Sequence, residues 1–219
     1  MCQCIRYHSD IVSLPRLISS ALDTGDTNVT DIRARDAVES LKIEHCVSLH
    51  INLDLREITQ PFYQLRIENI DNVMVRDIKL NHDGDLDLVI RNVRSQVTLS
   101  GRVTCEDCGH VTDDQQGLVT ERDSDDIRDT ARPTLVIQLK NVTMTQIIYL
   151  DIAGVNTRLS ARNVDRLAID NTVIDKLDKN SVEVWYADTF SIENTAVNEV
   201  INDYFWPNLN LANVFPSGR

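Results

Sequence analysis

Three groups of side chains in this sequence have spacing that chemistry could use. The first is Cys105-Glu106-Asp107-Cys108, followed by His110. Two thiols and an imidazole at this spacing suit a metal, but a structural zinc site closes with four ligands. Cys2 and Cys4 would have to supply the rest from a distant part of the chain. A local Cys105–Cys108 disulfide pinning a loop is the simpler reading, and free thiols are the third. The second group is Asp83-Gly84-Asp85-Leu86-Asp87. Asp83, Asp85 and Asp87 offer oxygen ligands that would suit Ca²⁺, without the spacing of an EF-hand. The third is a pair of N-glycosylation sequons, Asn28-Val29-Thr30 and Asn141-Val142-Thr143. Asn28, in a Gly/Thr/Asp loop, is the site that glycosylation would use if the protein is secreted.

Elements must position these groups, and the elements repeat. A six-residue phrase (apolar, any, apolar, any, Asn, apolar) occurs at Leu65–Ile70, Leu88–Val93, Ile137–Val142, Leu159–Val164 and Leu209–Val214. Two degenerate copies, Leu41–Cys46 and Val182–Ala187, carry His45 and Tyr186 at the Asn position. The fifth positions are 45, 69, 92, 141, 163, 186 and 213, so the intervals are 24, 23, 49, 22, 23 and 27. The interval of 49 is either two periods or one turn carrying an insertion. A second alternation follows most copies, as in Leu49-His50-Ile51, Val73-Met74-Val75 and Val97-Thr98-Leu99. Alternation rich in Val, Ile and Leu denotes half-buried strand. Each repeat therefore holds two or three short strands, with a tight corner at the Asn. Asn tolerates the left-handed conformation, and its amide can bond an amide stacked above or below. Cys46 falls on the apolar position after the corner and reads as a buried structural thiol.

About 23 residues with two or three strands can return to a point one strand spacing further along an axis, which makes a parallel β-solenoid. The phrase resembles the right-handed parallel β-helix of the pectin-lyase-like superfamily, in which stacked corner asparagines form a ladder. The resemblance covers roughly residues 37–215 and implies about seven turns. It also implies a ladder of Asn69, Asn92, Asn141, Asn163 and Asn213. Asn141 is thereby occupied, which leaves its sequon coincidental. The rival is a leucine-rich-repeat solenoid, whose phrase places two residues before its Asn where this chain has one. The resemblance says little about activity. β-Helix lyases use an acidic calcium site with a basic proton acceptor. β-Helix hydrolases carry Asn-Thr-Asp, Asp-Asp, Gly-His-Gly and Arg-Ile-Lys motifs. Gly109-His110-Val111 does not match, and Asp113-Asp114 lies in a loop. No catalytic set assembles.

Residues 1–36 form a Cys-bearing N-terminal segment, in which Ser9 to Asp23 has helical periodicity and would cap the first turn. Residues 37–219 form the repeats, with an acidic insertion near 105–133. The phrase at Leu209–Val214 restates the repeat close to Arg219. The expectation is a solenoid that stops mid-turn in a longer protein, or one whose end is covered by Tyr204-Phe205-Trp206-Pro207. In this register Trp185 points outward, where it could stack on a sugar or meet a protein, unless it packs near Trp206.

The chain has 219 residues, 42% hydrophobic and 26% charged, with a formal net charge of −12. That composition fits a folded chain. The charge disfavours sequence-independent binding of nucleic acid or anionic lipid. No stretch has the length and apolarity of a membrane span. The leading expectation is a non-catalytic, extracellular binding or structural module that presents a strand face to a protein or polysaccharide, with no cofactor. The alternatives are a fragment of a polysaccharide-active lyase or hydrolase, and an intracellular scaffold. The last follows from the first residues taken literally, since they lack the apolar core of a signal peptide.

Overall fold

The computed structural model describes residues 5–8, 28–33, 40–44, 47–56, 62–81, 84–106, 133–174, 180–197, 199–202 and 209–215. These residues form strands and contain no helix. Strands β1 (Ile5–His8), β2 (Asn28–Arg33), β3 (Ser40–Glu44) and β4 (Ser48–Asp54) come first. The long strands β5 (Phe62–Asn81), β6 (Asp85–Glu106) and β7 (Thr134–Ala153) follow. Next are β8 (Asn156–Asp170), β9 (Val173–Ile174), β10 (Ser181–Ala196), β11 (Glu199–Asn202) and β12 (Leu209–Phe215).

The architecture is an all-β parallel solenoid of about five turns. The strands β5, β6, β7, β8 and β10 each pair in parallel with the next along one axis. Pairing of β3 and β4 with β5, and of β11 and β12 with β10, adds partial turns at either end. The count is thus lower than the seven phrases suggest. The leucine-rich alternative is set aside, because each turn carries strand both before and after the Asn corner.

Alternation explains the interior. Leu41, Leu65, Leu88, Ile137, Leu159 and Val182 are register partners on successive turns, and all are buried. Ile43, Ile67, Ile90, Leu139, Ala161 and Val184 form a second buried column. Each Leu, Ile or Val side chain here stabilises by roughly 1.5–3 kcal/mol when fully buried, but only while the turns above and below cover it.

The interval of 49 residues is one turn with an insertion. Leu86 on β6 pairs with Leu135 on β7, and the register runs on through Leu88↔Ile137 and Ile90↔Leu139. The insertion therefore leaves the barrel undisturbed. At the N-terminal end, β1 lies antiparallel on β3, with Ile5 opposite Ile43. A strand of reversed direction thus covers the edge of β3, while β2 adds to β4 in parallel. The helix expected over Ser9–Asp23 lies outside the described residues, as do His45, Cys46 and the acidic insertion beyond Glu106.

One ladder assignment needs correction. The phrase Leu209–Val214 does not repeat the first strand of a turn. Leu209 pairs with Phe190, Leu211 with Ile192, and Ala212 and Val214 with Glu193 and Thr195. Asn213 thus comes to the corner marked by Asn194, not to the Asn69–Asn163 ladder. The first strand of that turn is β11, where Val200 pairs with Val182. The sequence hides β11 because Val200-Ile201-Asn202 has no alternation ending in the motif.

Candidate ligand-binding groove

Two kinds of corner set the outward faces. At the first, Asn69, Asn92, Asn141 and Asn163 have φ of 56°, 54°, 54° and 53°. Their amides connect turn to turn. Asn92 Nδ2 donates to Asn69 Oδ1 at 3.1 Å, Asn141 Nδ2 to Asn92 Oδ1 at 3.0 Å, and Asn163 Nδ2 to Asn141 Oδ1 at 3.1 Å. Tyr186 continues this corner with φ 57°. The second corner escaped the sequence reading. Gly101, Tyr149, Asn171 and Asn194 all have positive φ there, at 89°, 52°, 48° and 49°. Each stands two residues beyond the apolar residue that ends the second alternation, namely Leu99, Ile147, Ile169 and Ile192. That offset is a signal a closer reading could have used.

The residue just before the first corner points outward on every turn, so these side chains form a column. In order along the axis it reads Glu44, Glu68, Arg91, Lys140, Arg162 and Trp185, each a register partner of the next. Its two acids are held by one base. Lys42 Nζ lies 2.8 Å from Glu44 Oε2 and 3.1 Å from Glu68 Oε2. Hydrogen bonds to Glu44 and then Glu68 raise the Lys42 pKa above the usual lysine value, so the ammonium stays charged. Arg91, Lys140 and Arg162 follow on consecutive turns. None has an ion-pair partner among the described residues.

These cations line a groove of about 490 Å³ with Gln138, Leu139, Ser160, Trp185 and Tyr186. Trp185 is half-buried and faces outward, as its register requires, and Tyr186 is 45% exposed. Trp206 lies outside the described residues. The sequence reading picked out Trp185 but missed the three cations, although Arg91, Lys140 and Arg162 hold the position before the corner Asn in three consecutive copies of the phrase. The register confirms that they are neighbours.

The acidic candidates have other occupations. Asp85 Oδ1 accepts from the Thr134 backbone N–H at 2.6 Å, joining the start of β7 to that of β6. Asp87 is buried and accepts from Gln64 Nε2 at 2.8 Å and from Gln138 Nε2 at 2.9 Å. Both Asp87 oxygens therefore serve to bind adjacent turns. Asp83 lies outside the described residues. No group of three or more His, Cys, Asp or Glu suited to a metal occurs among the described residues. Cys105 is the penultimate residue of β6 and packs, partly buried, against the core. Cys108 and His110 lie outside the described residues. Asn28 is the first residue of β2, with its backbone paired to Leu49, so it begins a strand instead of sitting within a loop. No helix among the described residues is long and apolar enough to cross a membrane.

No protein-family model matches the chain, and neither a curated protein nor a solved structure matches it.

Proposed function

We infer that the protein is a non-catalytic extracellular binding module, and that the groove beside Arg91, Lys140 and Arg162 is where its protein or glycan partner docks. One observation carries this reading. Three cations stack on successive turns without acidic partners among the described residues, in a chain whose Asp and Glu outnumber Lys and Arg by 34 to 22. Like charges directly opposite one another across strands destabilise a sheet. An arrangement that costs stability where counter-charges are plentiful points to an external anion. Asp85 and Asp87 favour binding over catalysis, since Asp85 Oδ1 and both Asp87 oxygens are committed to hydrogen bonds between turns. The Cys105 thiol is engaged and not free. Its partner lies outside the described residues; a bridge to Cys108, the cysteine nearest in sequence, would go with an oxidising compartment.

The experiment is calorimetric titration with acidic and neutral polysaccharides, with and without Ca²⁺, followed by analysis of the sugar for chain cleavage. The expected result is saturable binding to intact polysaccharide that Ca²⁺ does not alter. Release of reducing or unsaturated ends that disappears in Asp85→Asn or Asp87→Asn protein would replace the binding module with an enzyme. Fully reduced Cys105 and Cys108 in thiol-trapped native protein would replace the extracellular setting with an intracellular scaffold.

A further inference from the structure

We propose that Asn141 is the acceptor site for an N-linked glycan, which stands outside the first corner while Asn141 keeps its place in the ladder. This rests on the extracellular setting and adds a modification site to it. Among the ladder residues Asn69, Asn92, Asn141 and Asn163, only Asn141 has a hydroxyl two positions on, at Thr143. Asp71, Arg94 and Asp165 follow the other three. Val142 lies between Asn141 and Thr143, and the acceptor pattern excludes only proline there. Asn141 and Thr143 are both exposed, whereas Val142 is buried. They border a shallow hollow of about 420 Å³ at the corner, together with Asn69, Asn92, Val93 and Arg94. The second sequon is placed differently. Asn28 and Thr30 are register partners of Leu49 and Ile51, which are buried. These are interior rows on the turn that follows, which favours Asn141 over Asn28.

Occupation by the ladder leaves room for the sugar, because a carboxamide nitrogen carries two hydrogens. Asn141 Nδ2 donates to Asn92 Oδ1 on the preceding turn at 3.0 Å. Its Oδ1 accepts from Asn163 Nδ2 on the following turn at 3.1 Å. The two bonds leave in opposite directions along the axis. The hydrogen in use is therefore the one opposite the carbonyl oxygen, as in a trans peptide. The other hydrogen takes no part in the ladder, and it is the one that a glycan replaces, since the substituted amide is trans as well. The donor is a polyprenyl diphosphate-linked oligosaccharide of the secretory pathway. The Nδ2–C1 bond forms, and the C1–O bond to the diphosphate breaks. The diphosphate leaves with the electron pair, and one Nδ2 proton passes to a base. The product keeps one N–H and one C=O on opposite sides, so both ladder bonds survive. Transfer acts on the unfolded chain. The folded corner must accommodate the sugar and need not admit the transferase.

The test secretes the full chain from eukaryotic cells behind a cleavable signal. Glycans are released enzymatically in heavy-oxygen water, which converts an occupied Asn to labelled Asp, and peptides are mapped by mass spectrometry. The expected result is the label at Asn141. Thr143→Ala should abolish it, Thr143→Ser should retain it, and Asn28→Gln should leave it unchanged. Thr143→Ala keeps every ladder amide, so it supplies a folded, glycan-free reference at this corner. The glycosylated wild type should unfold at the same denaturant concentration as that variant or a higher one, because both ladder bonds remain. Unmodified Asn141 in the secreted protein, or a glycan carried by Asn28 alone, would overturn the proposal. A lower midpoint for the glycosylated form would overturn it too, since the sugar would then break the ladder. A glycan on Asn141 of the secreted protein that the native protein lacks would support the acceptor site and overturn the extracellular setting. Native protein with oxidised Cys105 and bare Asn141 would overturn the site and leave the setting intact.

Discussion

At the scale of single residues, the fold depends on side chains that satisfy one another across turns, and two positions measure this. Asn92 occupies a left-handed conformation and bonds both neighbours of its ladder. Asn92→Gly keeps the conformation and loses the amide, at a cost of about 1 kcal/mol for the lost hydrogen bonds. Asn92→Ala loses the amide and also strains the backbone, for about 1–2 kcal/mol more. Chemical denaturation of the two variants separates the terms, and equal losses would mean that the conformation carries no part of the effect. Thr145 is the opposite case. It stands in a core column between Val97 and Leu167, fully buried, and its hydroxyl has no hydrogen-bond partner among the described residues. Thr145→Val has nearly the same shape and removes that unmet polar group, so it should stabilise by about 1 kcal/mol. Thr195 is equally buried, but its Oγ1 donates to the Glu193 carbonyl at 2.8 Å. The same change at Thr195 should destabilise. Opposite signs in thermal unfolding are the expected result, and a loss at Thr145 would mean that its hydroxyl is satisfied in solution.

At the scale of the turn, backbone geometry at the corners decides what the chain can hold. Gly101 has φ 89°, and a Cβ there would lie 2.5 Å from both the Arg76 carbonyl oxygen and Asp77 Oδ1. That Asp77 oxygen already accepts the Arg102 backbone N–H at 2.9 Å. Gly101→Ala should therefore cost about 3 kcal/mol from strain and overlap together, read as a lowered denaturation midpoint; a loss under 1 kcal/mol would show that this corner can relax. One turn on, the corner residue is Tyr149 at φ 52°, and the register shifts by one residue there, so that Gly101 pairs with Leu150. This corner also shows what the sequence reveals and what it conceals. Strand alternation and the first corner were legible because Asn is conspicuous and its spacing regular. The second corner uses Gly101, then Tyr149, and only afterwards Asn171 and Asn194, so its letter is not constant along the axis. Asn213 was misplaced for a related reason. The phrase Leu-Asn-Leu-Ala-Asn-Val satisfies the motif, yet β11 had already used the first-strand position of that turn. A local pattern cannot show which strand of the turn it belongs to.

At the scale of the whole molecule, charge divides into two populations that respond to salt in opposite ways. The overall −12 is a repulsion spread over the surface, which opposes the folded state and is relieved by screening. The column of Arg91, Lys140 and Arg162 is a local excess of the other sign, and its attraction for an anion is lost by screening. The Debye length falls from about 30 Å at 0.01 M salt to about 8 Å at 0.15 M. Over that range it passes from longer than several turns to shorter than two, since turns stand about 4.8 Å apart. The melting temperature of the free protein should therefore rise with salt, while the affinity for an anionic ligand falls. A variant with Gln at all three cationic positions sharpens the comparison. Its net charge becomes −12 − 3 = −15, so its stability should respond to salt at least as strongly as the wild type. Its affinity for an anionic ligand should be small at every salt concentration. Differential scanning calorimetry and titration across the same salt series measure both quantities on one preparation. Loss of the salt response of stability in the variant would show that the column was the dominant repulsive element and that the surface acids matter little. Retained affinity with an undiminished salt response would show that the anion is held elsewhere on the solenoid.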